Sequence, residues 1–243
     1  VILNNLYANY GIKTNLVFNT ESGTPERLDE TKIIPNLRYA RDNYGVQKIA
    51  SFEGPNEYSD GKYQSGNTLW ATQLRSYQQE LYRQINTVTE FSTLSHLPLL
   101  APSIWKRFSN DSAELGNISA YTNTANLHLY SGARKPSQFR NCSTEGTCLG
   151  DADIDVAIGG AQSNVPGAPI QITESGNNNT VDGIDSDFST PEYTASKYNG
   201  RIYAENFYRG VQRTFLYVFM DRTDQTTHRY GLLRADNTRK PTF

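Results

Sequence analysis

Lys48-Ile49-Ala50-Ser51-Phe52-Glu53-Gly54-Pro55-Asn56-Glu57-Tyr58 is the stretch on which the fold turns. Lys48–Glu53 reads as a short strand, apolar enough to be buried on both faces, as parallel strands are. The Gly-Pro turn stops it, and Glu57 follows immediately. Helical patterns lie on either side. Pro35–Tyr44 precedes the strand. In Leu69–Asn86, Trp70, Leu74, Tyr77, Leu81 and Ile85 recur at spacings of three and four. Outward from there the same alternation continues. Strands are expected at Thr14–Asn19, Leu97–Pro102, Ala125–Tyr130, Pro169–Glu174 and Thr214–Met220. Helices are expected at Ile2–Tyr10, Asp111–Leu115, Ile154–Ala161 and Pro191–Gly210. Strands alternating with helices predict parallel βα units and one α/β domain over residues 1–243. The loops expected after the strands, Thr20–Lys32, Tyr58–Thr68, Ser131–Asp153 and Ser175–Thr190, are long and polar. In such folds, function gathers on these loops at the carboxyl ends of strands.

Composition excludes several classes of function. Lys and Arg number 23 and Asp and Glu 25, a net charge of −2, which leaves no basic stripe for a nucleic acid. Apolar runs such as Leu97–Pro102 fall far short of the roughly 20 residues of a membrane helix. No Gly-rich phosphate loop occurs. His96, His128 and His228 form no ligand-spaced pair, so neither a metal nor another cofactor is expected. Cys142 and Cys148 sit in a loop-like stretch. A local disulfide would imply an oxidising compartment, secreted or periplasmic; two reduced thiols are the alternative.

Chemistry is carried by two carboxylates. Glu57 follows the strand ending at Glu53, and Glu174 ends the strand in Ile170-Gln171-Ile172-Thr173-Glu174-Ser175-Gly176. Each stands where an apolar strand gives way to a turn. Two carboxylates facing one site can cleave a glycosidic bond, one protonating the leaving oxygen and the other attacking the anomeric carbon. For either Glu taken alone, an exposed loop carboxylate is the simpler reading.

Three motifs in order, Asn56-Glu57, Leu127-His128-Leu129-Tyr130-Ser131 and Thr173-Glu174, resemble the (β/α)8 retaining glycoside hydrolases of the clan A superfamily. The tail Tyr230-Gly231-Leu232-Leu233-Arg234-Ala235-Asp236 resembles the segment after their eighth strand. The resemblance implies a TIM-type (β/α) barrel with about six parallel strands, because Thr14–Asn19 falls at the third strand and a last helix is missing. It implies that Glu57 is the acid/base, Glu174 the nucleophile, Asn56 a partner of the sugar 2-hydroxyl, and Tyr130 the group that orients Glu174. His128 would contact a carboxylate or the sugar, or be a hydrogen-bonded interior histidine. Glu53 would reach the cavity or pair with a buried Arg. Asp221 would bind a sugar hydroxyl or have a helix-capping or loop role, and Trp105 would be a stacking platform or core. The last strand lacks the Trp common in the superfamily, with Phe219 or Tyr217 as candidate substitutes. The implied substrate is a carbohydrate, a β-glucan-type oligo- or polysaccharide. The implied partner is a second copy covering the open side of the barrel. The alternative is a sugar-binding remnant with little or no activity.

Overall fold

A computed structural model of the protein describes residues 2–18, 28–60, 66–104, 108–144, 147–179, 189–223 and 229–242. The elements in chain order are α1 (Ile2–Tyr10), β1 (Thr14–Val17), α2 (Ile33–Tyr39), β2 (Ile49–Glu53), α3 (Trp70–Thr87), β3 (Leu99–Leu100) and α4 (Phe108–Leu115). They continue with β4 (Ala125–Tyr130), β5 (Gln138–Thr144), β6 (Thr147–Asp153), α5 (Ile154–Asn164), β7 (Ile170–Gly176), α6 (Glu192–Tyr208) and β8 (Val211–Leu216). Among the described residues, the expected strands and helices are present, with shifted ends and short helical turns between them.

Six parallel strands form two small sheets, β1-β2-β3 and β4-β7-β8. One parallel bridge, Leu100 to Thr124, joins them, and the Ala101 amide donates to the Thr124 carbonyl at 2.8 Å. The junction is slender because Pro98 and Pro102 bracket β3, and proline cannot donate to a ladder. No ladder among the described residues joins β8 back to β1, so the sheets are unclosed. Those two edge strands are half-exposed, whereas β2 and β4 are almost wholly buried. The difference follows from position: an inner strand is covered on both faces, an edge strand is not.

Helix α3 ties the two halves together. Trp70 and Leu74, on its first turns, join the core formed by Leu127, Ile154, Ala157, Ile170 and Ile172. Tyr77, Leu81 and Ile85, further along the same stripe, join Ile33, Leu37, Ile49, Phe52 and Phe91. One apolar face read from spacing therefore serves both sheets.

Two expectations are corrected. The last strand is Val211–Leu216, not Thr214–Met220. Its first half contains exposed Gln212 and Arg213, which apolar patterning misses. Beyond it, the Val218 amide donates to Tyr230 and the Asp221 amide to Leu233, so the chain leaves β7 and pairs with the tail. Phe219 is 63 % exposed and Met220 41 %, apolar residues that only resemble a buried strand. Within Ser131–Asp153, expected as loop, β5 (Gln138–Thr144) and β6 (Thr147–Asp153) pair antiparallel, with Cys142 and Cys148 as register partners. Their register shifts on both sides of Cys142, which breaks the two-residue period that announces a strand.

Candidate active site

The site is assembled at the carboxyl ends of β2, β4 and β7. β2 ends in Glu53, which is fully buried. The chain then turns through Gly54, where a Cβ would lie 2.3 Å from Gln78 Oε1 and 2.9 Å from the Pro102 nitrogen, so only glycine fits. Glu57 takes a positive φ of 46°, uncommon outside glycine. Its amide donates to Ser103 Oγ at 3.1 Å, which helps hold the turn. The carboxylate is thereby brought to β4, where Oε1 lies 2.7 Å from His128 Nδ1.

β4 presents Asn126, His128 and Tyr130 at two-residue spacing, hence on one face. Tyr130 donates its hydroxyl to Glu174 Oε2 at 2.7 Å. Strict alternation on β7 would send Thr173 and Glu174 to opposite faces. The register against β4 slips instead, from Leu127 opposite Ile172 to His128 opposite Glu174. That irregularity lets both side chains reach the site. Thr173 Oγ1 lies 3.0 Å from Glu53 Oε1, and Glu174 Oε2 lies 3.6 Å from His128 Nδ1.

A cavity of about 330 Å³ opens here, with Asn56, His128 and Glu174 on one side, Lys13 and Asn15 from the β1 edge, and Phe215 from β8. Burial alone would lower the basicity of His128. The contacts with Glu53 at 3.6 Å and Glu57 at 2.7 Å and the charge of Glu174 outweigh it and push the ring up to about 9, which favours its protonated form at neutral pH. Burial pushes the Glu174 carboxyl above its usual range, opposed by His128 and the Tyr130 hydroxyl. Burial, with the charge of Glu174, pushes the Tyr130 phenol far up, so it remains a donor.

Glu57, His128 and Glu174 each bring one atom able to bind a metal within 4.8 Å of the others. A protonated His128 offers a metal no lone pair, so any metal would first have to displace that proton.

The expected residues Glu57, Glu174, Asn56, His128, Tyr130 and Glu53 are thus brought together. Glu53 has no Arg partner among the described residues; its ligands are Asn15, Asn126, Thr173 and His128. Asp221 lies elsewhere. It is buried in an ion pair with Lys240 at 2.8 Å and accepts from the Gly231 amide, which corrects the sugar-binding alternative in favour of a loop role. Trp105 falls outside the described residues. The apolar cavity residue on the last strand is Phe215; Tyr217 packs on Tyr230 instead, their ring centroids 5.8 Å apart. Sequence reading missed Asn15, Asn126 and Thr173. Alternation counted back from His128 would have found Asn126; the slipped register hid Thr173.

No family profile and no curated relative matches the chain. Solved structures do. β-Glucuronidase 2 of Bacteroides uniformis superposes with a TM-score of 0.63 at 17 % identity, over 98 % of this chain and 27 % of that one. A family 39 glycoside hydrolase of Bacteroides cellulosilyticus WH2 gives 0.62 at 17 % identity, over 96 % and 49 %. A family 17 β-1,3-glucanosyltransferase of Rhizomucor miehei gives 0.58 at 12 % identity, over 88 % and 70 %. The chain spans about a quarter of the length of the glucuronidase. These three solved structures thus share one arrangement of strands and helices with this protein.

Proposed function

We propose that the protein is a retaining glycoside hydrolase that cleaves β-glycosidic bonds by double displacement. One observation carries this reading: a carboxylate oxygen of Glu57 and one of Glu174, which lines the cavity, lie within 4.8 Å of each other. Retaining enzymes hold their two carboxyl groups about 5–5.5 Å apart, whereas inverting enzymes need about 6.5–9.5 Å to admit a water.

In the first step, Glu174 attacks the anomeric carbon while Glu57 gives its proton to the leaving oxygen, and the glycosidic bond breaks. In the second, Glu57 takes a proton from water, the hydroxide oxygen bonds to the anomeric carbon, and Glu174 departs as a carboxylate. The Tyr130 hydroxyl holds negative charge on Glu174 against the burial that opposes it, and His128 adds to this while its ring is protonated. Loss of that charge on glycosylation lets Glu57 change from acid to base. Asn56, at the cavity wall, is suited to the sugar 2-hydroxyl. The substrate class is a β-glucan-type oligo- or polysaccharide.

A sugar-binding remnant is the second reading. It is favoured by the unclosed sheets, which leave one side of the cavity to the edge strand β1.

Aryl β-glycosides and soluble β-glucans, tested beside Glu57→Gln and Glu174→Gln, separate the two. Turnover with retained anomeric configuration, reduced at least ~10³-fold in both variants, is the expected result. A folded protein that binds a sugar yet turns over none of the panel would sink the hydrolase reading.

A further inference from the structure

Glu53 is the carboxylate of this cluster that the double displacement does not use. It is fully buried at the end of β2. Its Oε2 accepts from Asn15 Nδ2 at 2.5 Å. That amide is oriented from behind, because Asn15 Oδ1 accepts from Ser51 Oγ at 2.7 Å. Its Oε1 accepts from Asn126 Nδ2 at 2.8 Å and Thr173 Oγ1 at 3.0 Å. The two amides are donors, and Thr173 has one proton to place between Glu53 Oε1 and Asn126 Oδ1, which lies 2.9 Å from its Oγ1. A buried carboxylate needs an opposite charge. Among the described residues, the basic group within ion-pair reach is His128, whose Nε2 lies 3.6 Å from Oε1.

The rest of the ring faces carboxylates too. Nδ1 lies 2.7 Å from Glu57 on the turn after β2 and 3.6 Å from Glu174 on β7. Tyr130, on the same strand as His128, is committed to Glu174. The ring therefore has one nitrogen toward the two carboxylates of the proposed reaction and the other toward Glu53.

We infer that Glu53 is a positioning residue: its buried carboxylate keeps Nε2 of His128 protonated, leaving Nδ1 as the one ring atom that exchanges a proton with Glu57. The consequence for catalysis rests on the hydrolase reading; the protonation pattern does not. With Nε2 fixed, the ring has two states. Either Nδ1–H donates to an ionised Glu57, or the Nδ1 lone pair accepts from a protonated Glu57. They differ by one proton shift along a 2.7 Å contact, and no other proton moves. Glu57 keeps a partner in both its acid and its base form. Without Glu53, the opposite tautomer becomes accessible, in which Nδ1–H faces Glu57 even when the ring is neutral, and the acid form of Glu57 loses its acceptor. The elevated basicity of the ring, despite its burial, accords with this arrangement.

Nitrogen-15 NMR of the histidine rings in the intact chain tests the assignment, with the His128 signals identified by their loss in His128→Gln. In the unaltered protein, Nε2 should carry a proton from pH 5 to 10 while Nδ1 alone titrates. In Glu53→Gln, the ring midpoint should fall by about 1–3 units. A neutral His128 with a bare Nε2 in the unaltered protein overturns the inference whether or not the variant folds. So does an unmoved midpoint in folded Glu53→Gln. The measurement needs no turnover: the expected spectra with no glycoside hydrolysed would count against the hydrolase reading alone, and hydrolysis with a bare Nε2 would count against the role of Glu53 alone.

Discussion

Tyr130 shows how much a single residue contributes beyond its identity. Its hydroxyl reaches Glu174 at 2.7 Å, and its ring packs edge-on against Tyr230, with centroids 5.3 Å apart. The ring fixes the direction of the hydroxyl, so the bond to Glu174 forms without ordering a free side chain. A hydrogen bond to a charged group contributes about 1.5–3 kcal/mol. Tyr130→Phe keeps the ring and removes the donor. On an aryl β-glycoside that turns over, kcat/KM should fall roughly 10- to 150-fold. The acidic limb of the pH profile should move to higher pH, because burial then raises the Glu174 carboxyl with less opposition. An unchanged limb would remove Tyr130 from the role of holding Glu174 ionised.

At the scale of elements, the decisive feature is the exit from β2. The strand ends against α3 and the segment after β3, and Gly54 lies between Gln78 and Pro102. Gln78 could swing aside, but the Pro102 nitrogen 2.9 Å from a built Cβ belongs to backbone that another strand holds. Overpacking of this kind costs about 1–3 kcal/mol. Gly54→Ala should lower stability by that amount in urea denaturation. Because Glu57 lies three residues on, any hydrolysis should fall more than stability does. A variant as stable as the parent would show that the turn yields where the geometry says it cannot. The slipped register between β4 and β7 acts at the same scale: it is the relation between two strands, and not either strand alone, that turns Thr173 and Glu174 to one side.

At the scale of the molecule, the segments after β7 and β8 are tied by a polar knot. The Lys240 ammonium lies 2.8 Å from Asp221 Oδ2 and also reaches Asn179 and the Arg229 carbonyl, with both charged side chains almost fully buried. Removing one partner of a buried pair leaves a stranded charge and costs about 3–5 kcal/mol. Lys240→Met should lose that much stability in denaturant titration. The double variant Lys240→Met/Asp221→Asn should recover a substantial part, since the stranded charge is gone. A double variant no better than the single would mean that the knot acts through shape and not charge. This contact joins residues 19 apart in sequence, and the bond from Asn126 to Glu53 joins residues 73 apart. Such contacts exist only once the chain has folded.

What could be read directly divides along the same line. The α/β class, the inner strands, the stripe on α3 and the two carboxylates were legible because each is written in local spacing: apolar runs, a three-to-four period, a Glu where a strand stops; Tyr130 was implied by the family resemblance. The pairing of β5 with β6 and the true span of β8 were not legible, because a shifted register and exposed polar residues erase the local signal. Asn15, Thr173 and the state of His128 were equally hidden, since each depends on what neighbouring strands place opposite. The sequence determined which groups are available and on which elements they sit. Only the tertiary structure decided that Glu53 faces His128 and not an Arg, that Asp221 pairs with Lys240 away from the cavity, and that the strands stand as two unclosed sheets. The physical reason is that charge and hydrogen-bond partners are chosen by distance in space, and sequence spacing fixes that distance only within a single helix or strand.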